Sequence, residues 1–207
     1  MEERTKKILF GSGLVAAFAL AGGIRYLMKE RATPEPPYLV YHEDGDFEIR
    51  DYSGYWVAET YAYGDRREAI RAGFRTLADY IFAKSHDGES IPMTAPVIER
   101  AEGTDKWRVQ FVMPEGETEA TLPPPPAGVS LRHEEAMRVA VVRFSGAPGE
   151  YDLEAQDDTL REWLSGRDEG DVIGEPLYAF YNSPSVPGPL RRNEIWLPLA
   201  LEPPVAY

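Results

Sequence analysis

The chain has 207 residues, a net charge of −13, 43% hydrophobic and 12% aromatic residues, and no cysteine. This is the composition of a globular chain with room for one sizeable core. The missing cysteines exclude disulfides, thiolate nucleophiles and cysteine-based zinc sites, and the acidity argues against nucleic acid as a partner, because phosphate binding rests on clustered Lys and Arg.

The first 31 residues run against that balance, with six Lys/Arg and three Asp/Glu, so the remainder is more acidic still. Ile8 to Ile24 are seventeen consecutive uncharged, mostly apolar residues, preceded by Arg4, Lys6 and Lys7 and followed by Arg25, Lys29 and Arg31. Extended through Met28, the stretch reaches the roughly 20 residues a bilayer span requires. Residues 1–31 are therefore expected to form a single-pass membrane anchor. The alternatives are a signal peptide cleaved near Ala21, with export of the remainder, and a soluble buried helix. Pro34, Pro36 and Pro37 then predict a stiff linker over residues 32–37, with the folded domain at 38–207.

In chain order, Phe47–Tyr52 alternates as a short strand and Tyr55–Tyr61 is a second, rich in β-formers. From Asp65 to Phe82 the spacing predicts an amphipathic helix, with Ala69, Ile70, Phe74, Leu77, Ala78 and Ile81 on one side and Asp65 as its cap. Strands are predicted at Pro92–Ile98 and Trp107–Met113. The proline run at 123–126 follows as an extended connector. Strands at Val129–Arg132 and Met137–Phe144, a helix from about Glu150 to Leu164, and strands at Leu177–Tyr181 and Asn193–Leu197 then repeat the same order. Two strand–strand–helix–strand–strand units, about 38–121 and 127–199, predict an α+β fold. Its expected form is a distorted eight-stranded antiparallel barrel with two outer helices, preceded by the N-terminal apolar helix. A pocket is expected where the halves meet.

The strings Phe47-Glu-Ile-Arg-Asp-Tyr52, Tyr55-Trp-Val-Ala-Glu-Thr60, Ile91-Pro-Met-Thr-Ala-Pro-Val97, Phe111-Val-Met-Pro114, Phe144-Ser-Gly146 and Arg191-Arg-Asn-Glu-Ile-Trp196 resemble, in that order, the SOUL/haem-binding proteins. The resemblance spans Tyr38 to Leu197, and the architecture is also similar to gyrase-inhibitor-like ligand-binding domains. It implies a non-catalytic carrier, buffer or sensor of haem or another tetrapyrrole. The ligand would lie in an apolar groove between the first helix, with Arg71, Phe74, Arg75 and Ala78, and the 182–192 loop, with Val186. Arg71 and Arg75 stand four apart on one helical side, so both can face propionates. Two positions depart from the animal members: Phe74 replaces a Met, and Asp79 replaces a basic residue, where an acid disfavours a propionate.

Other candidates come from the residues themselves. Axial iron ligation points to histidine, and the chain offers His42, His86 and His133, of which His86 is nearest the helix end. Met93 can ligate through sulfur or pack, and its prolines, Pro92 and Pro96, mark a pocket border. Alternation puts Glu194 and Trp196 on one face of the last strand. If that face is interior, Glu194 is a buried acid needing a partner, Arg191 or Arg192, or a cationic ligand. This leaves open a structural ion pair, a gyrase-inhibitor-like small-molecule site, or a small hydrolase using Glu194 as base in an aromatic pocket. A scaffold engaging a protein partner is a further alternative.

Overall fold

The structure, a computed structural model, describes Met28 and residues 32–200. Residues 34–200 form one compact unit. Its elements are β1 (Tyr38–Asp44), β2 (Phe47–Tyr52), β3 (Tyr55–Tyr63), α1 (Arg66–Ile81), β4 (Val97–Ala101), β5 (Lys106–Val112), β6 (Ser130–Glu134), β7 (Met137–Phe144), α2 (Glu150–Ser165), β8 (Leu177–Phe180) and β9 (Asn193–Leu199).

The strands form one antiparallel sheet in the order β1-β2-β7-β9-β8-β4-β5-β3-β6. Only Ser53 and Gly54 join β2 to β3, yet five strands separate them in the sheet. Glu135 and Ala136 join β7 to β6 across another five. Links that short force the sheet to curl into a half-barrel. At Gly54 an added Cβ would lie 3.0 Å from Glu134 O and 2.6 Å from the His133 ring, so a side chain there would have to displace His133.

The expected eight-stranded barrel is thus corrected to nine strands in an open order, with β1 and β6 as its edges. The added strand is β1, whose Leu39, Val40 and Tyr41 stay exposed, as edge position allows. The strand expected from Pro92 begins only at Val97, since prolines withhold the N–H a ladder needs. Before it, Thr94 donates to Val112 O and the Ala95–Pro96 peptide is cis. Residues 34–37, expected as a linker, are docked: Ala95 N–H donates to Pro34 O at 2.9 Å, and Pro36 is buried.

Asp65 caps α1, accepting from Glu68 N–H at 3.0 Å. Leu77, Tyr80 and Ile81 bury against Ala58, Val109 and Phe111 on the outer face of the sheet, and Ala69 is buried as well. On α2, Leu153, Leu160 and Leu164 pack against Ile49, Ala140, Val142, Ile195 and Leu197 on that same face. The inner face is lined by Tyr52, Val57, Ile98, Val112, Val139, Val141, Ala179, Tyr181 and Trp196, drawn from both halves.

Among the described residues no helix is long and apolar enough to cross a membrane. The segment Ile8–Ile24, expected to be an anchor, lies outside them.

Candidate functional site

The inner face carries charge as well as apolar side chains. Alternation along β9 places Glu194 and Trp196 inward and Ile195 and Leu197 outward, beneath α2. Glu194 is fully buried and accepts five hydrogen bonds. Arg50 donates two, at 2.8 and 3.0 Å. Arg192 Nε donates at 2.9 Å, Tyr181 OH at 2.7 Å and Trp196 Nε1 at 2.8 Å. Burial alone would raise this carboxyl, but the hydrogen bonds and charge of Arg50, then Arg192 and Trp196, outweigh it and hold it at about 2.

The network extends on both sides. Arg50 Nε donates to Glu48 at 2.6 Å, and Arg143 also pairs with Glu48. Arg192 reaches Glu35 of the docked 34–37 segment at 2.9 Å. Tyr38 lies under Arg50 and Tyr181 under Arg192, with ring centroids at 4.4 and 3.7 Å. Three guanidiniums thus face three carboxylates. The sequence expectation of Arg192 as partner holds. Arg191 instead donates to Val186 O and Pro184 O, bracing its own loop. Arg50, Glu48, Arg143 and Glu35 were not anticipated, although the inward register of Glu48, Arg50 and Tyr52 follows from the alternation of β2.

On the outer face, α1 covers β3 and β5. Arg71, Phe74 and Arg75 are exposed on it, Phe74 meeting Phe111 edge-on at 5.1 Å. Ala78 and Met93 pack on the cluster below. The 182–192 loop joins β8 to β9, Val186 is buried, and β4 stands between β8 and β5 in the sheet. The seven expected site residues therefore fall into three settings: the α1 surface and its underlying cluster, the loop, and the buried inner network.

The model of the family described as SOUL heme-binding protein matches residues 33–198. The chain belongs to the SOUL haem-binding family. No curated protein matches it. Among solved structures, the chain is similar to the C-terminal domain of EcmrR, at 13% identity and a TM-score of 0.53, covering 79% of this chain and 98% of that one. It is also similar to a hydrolase from Listeria innocua, at 15% identity and a TM-score of 0.52, covering 77% of this chain and 94% of that one. At such identities these likenesses establish the fold alone.

For a SOUL protein the question is what would meet a tetrapyrrole. No hydrogen bond or ion pair joins the Arg71 or Arg75 side chains to another described residue, so both guanidiniums are available to propionates. Phe74, 41% exposed, and Ala78 one turn on provide apolar surface beside them. These residues fit the edge of the macrocycle. Iron ligation is another matter. Gly88 N–H donates to His86 Nδ1 at 3.0 Å and His86 Nε2 meets Tyr80 O at 2.8 Å, so Nε2 carries the proton and neither nitrogen offers a lone pair. His42 Nε2 accepts from Arg167 at 3.0 Å, and His133 Nδ1 lies 3.6 Å from Glu135. Among the described residues no cluster of three His, Asp or Glu could hold a metal ion.

Proposed function

We propose that this SOUL-family protein binds haem or a related tetrapyrrole on the α1 surface, as a carrier, buffer or sensor without turnover. The observation that carries this reading is the pair of guanidiniums, Arg71 and Arg75, without a partner among the described residues, one turn apart and flanking exposed Phe74. A dianionic, flat, apolar ligand matches that surface in both charge and shape. When bound, haem supplies the iron chemistry. The chain's own residues hold its propionates and shield one edge from water. The acidic remainder of the chain leaves nucleic acid outside the proposed ligands.

The alternative use of Glu194 as a catalytic base is poorly supported by its surroundings. A general base needs a free lone pair and a proton affinity near the working pH. Glu194 has five donors upon it and is held at about 2.

We also propose that the domain arose by duplication. With β1 set aside, exchanging β2 with β6, β3 with β7, β4 with β8 and β5 with β9 returns the same strand order read from the opposite edge, which supports this reading. Residues 1–31 are proposed as a membrane anchor, on the apolar run Ile8–Ile24 and its cationic flanks. Fractionation of expressing cells tests this: the full chain should pellet with membranes, and a chain starting at Pro34 should not.

Hemin titration tests the ligand. A saturable change in the Soret band of hemin on adding the full chain is expected, with micromolar or tighter affinity. Absence of a saturable change would overturn the proposal.

A further inference from the structure

Between the part of the outer face covered by α1 and the part covered by α2, the strands β4 and β8 lie side by side at the centre of the sheet. Here register sets Glu99 opposite Tyr178, with Phe180 two residues on. Trp107, on neighbouring β5, points to the same face. The three rings are each partly exposed, and they surround a single cation, the guanidinium of Arg66 in the first turn of α1. Below it, Glu99 accepts one hydrogen bond from Arg66 Nη2 at 2.6 Å.

Arg66 is a loose occupant. Its guanidinium carbon stands 5.8, 5.7 and 5.6 Å from the centroids of Trp107, Tyr178 and Phe180. Elsewhere in the same protein, Arg192 lies 3.7 Å from Tyr181 and Arg50 4.4 Å from Tyr38. The enclosure is therefore wider than a planar guanidinium requires. Arg66 Nε is buried without an acceptor, and a buried unsatisfied donor is unfavourable. A cation in the first helical turn also opposes the helix dipole. Around the rim, Asp157 and Glu154 of α2, together with Glu175, add negative potential at Tyr178. Three aromatic faces and a buried carboxylate are the parts that recognise a bulky, weakly hydrated cation.

We propose that Trp107, Tyr178, Phe180 and Glu99 form a binding site for a small quaternary ammonium compound, which Arg66 occupies in the free protein and vacates when the ligand enters. The trimethylammonium group fills the space between the rings that the guanidinium leaves. Glu99, in its ionised form, supplies the counter-charge. The site is built on the first turn of α1, and Arg71 and Arg75 follow on later turns of the same helix.

Choline is the probe, and 3,3-dimethyl-1-butanol its neutral isostere. In the full-length wild-type chain, choline should shift the Trp107 indole N–H resonance saturably, while the isostere leaves it in place. By calorimetry, Arg66→Gln should bind choline about tenfold more tightly than wild type, because the internal competitor is gone. Glu99→Gln should bind it at least about tenfold more weakly, through loss of the counter-charge. The proposal is overturned if wild-type Trp107 shows no saturable shift, a measurement that needs no substitution. Equal response to choline and the alcohol, or undiminished binding by a folded Glu99→Gln variant, overturns it as well.

Discussion

Arg50 and Glu194 lie 144 residues apart in sequence and form a two-pronged ion pair with neither side chain exposed to solvent. Their strands flank β7 on either side, so the pair fastens the second residue run of the domain to its last. Taking two charges out of water is expensive, and only the full set of donors around Glu194 offsets it. Removing one partner leaves the other buried and unbalanced. Arg50→Met and Glu194→Met are each expected to lose about 3–5 kcal/mol in urea denaturation. The combined Arg50→Met, Glu194→Met protein should lose clearly less than the two single losses together. Additive losses would show that the two side chains do not act as one energetic unit.

The pH dependence of stability contains two opposing contributions. Glu194 is held at about 2, below its ordinary 4.5. Its contribution is complete above about pH 4.5 and is lost as pH falls toward 2. Burial pushes Glu99 up to about 7, against the charge and hydrogen bond of Arg66. Its folded form favours the proton, so that contribution is full below about pH 4.5 and is lost as pH rises through 7. Burial raises Glu35 as well, with Arg192 opposing and Glu194 adding to the rise, so Glu35 acts in the same sense as Glu99. Stability measured by denaturant midpoint should peak near pH 4.5. Glu99→Gln should flatten most of the decline between pH 4.5 and 7 and leave the acid limb in place. An unchanged decline in that variant would remove Glu99 as its source.

Much of this was legible where a strong local signal existed. The apolar spacing from Ala69 to Ile81 and the Asp65 cap define α1, and its bounds agree with the structure to within a residue. The strands β2 and β7 match their predicted bounds. β1 escaped because an edge strand exposes Leu39 and Tyr41, and no alternation of burial marks it. The inner network was harder. In Phe47–Tyr52 the side chains of Glu48 and Arg50 alternate with Phe47 and Ile49, which usually denotes a solvent face. In this fold both faces of β2 are covered, and the polar side is balanced by Glu194, Arg192 and Arg143 from distant segments. Local pattern carries no information about that pairing. The docking of Glu35 was invisible for the same reason: Pro34 to Pro37 encode extension, and only the partner Arg192 decides what they rest upon.

The α1 surface gives a sharper test of the ligand than affinity alone. Arg71 and Arg75 support no described contact in the fold, so Arg71→Ala and Arg75→Ala should leave the denaturation midpoint nearly unchanged. Each should weaken hemin binding about tenfold or more, the loss of a charge-assisted hydrogen bond to a propionate. Arg161→Ala on α2, whose side chain pairs with Asp157, serves as the control and should leave hemin affinity intact. Equal weakening in all three variants would indicate nonspecific attraction of an anionic ligand.

Gly73 fixes how closely α1 approaches the sheet. An added Cβ there would lie 2.6 Å from Val109 Cγ2, 3.1 Å from Val109 Cβ and 3.4 Å from Thr60 Cγ2. In an exposed helix interior, Gly→Ala gains about 1 kcal/mol. At this contact the helix must instead lift or Val109 must leave its rotamer, and overpacking of this kind costs about 1–3 kcal/mol. Gly73→Ala should therefore lower stability despite its better helix propensity. Adding Val109→Ala should recover part of the loss, because the Val109 methyls removed are those in the way. Arg71, Phe74 and Arg75 ride on the same two turns, so lifting α1 displaces the proposed ligand surface as well. Hemin affinity should fall in Gly73→Ala and return with Val109→Ala. A stabilised Gly73→Ala protein would show that α1 and β5 are not in the close contact described.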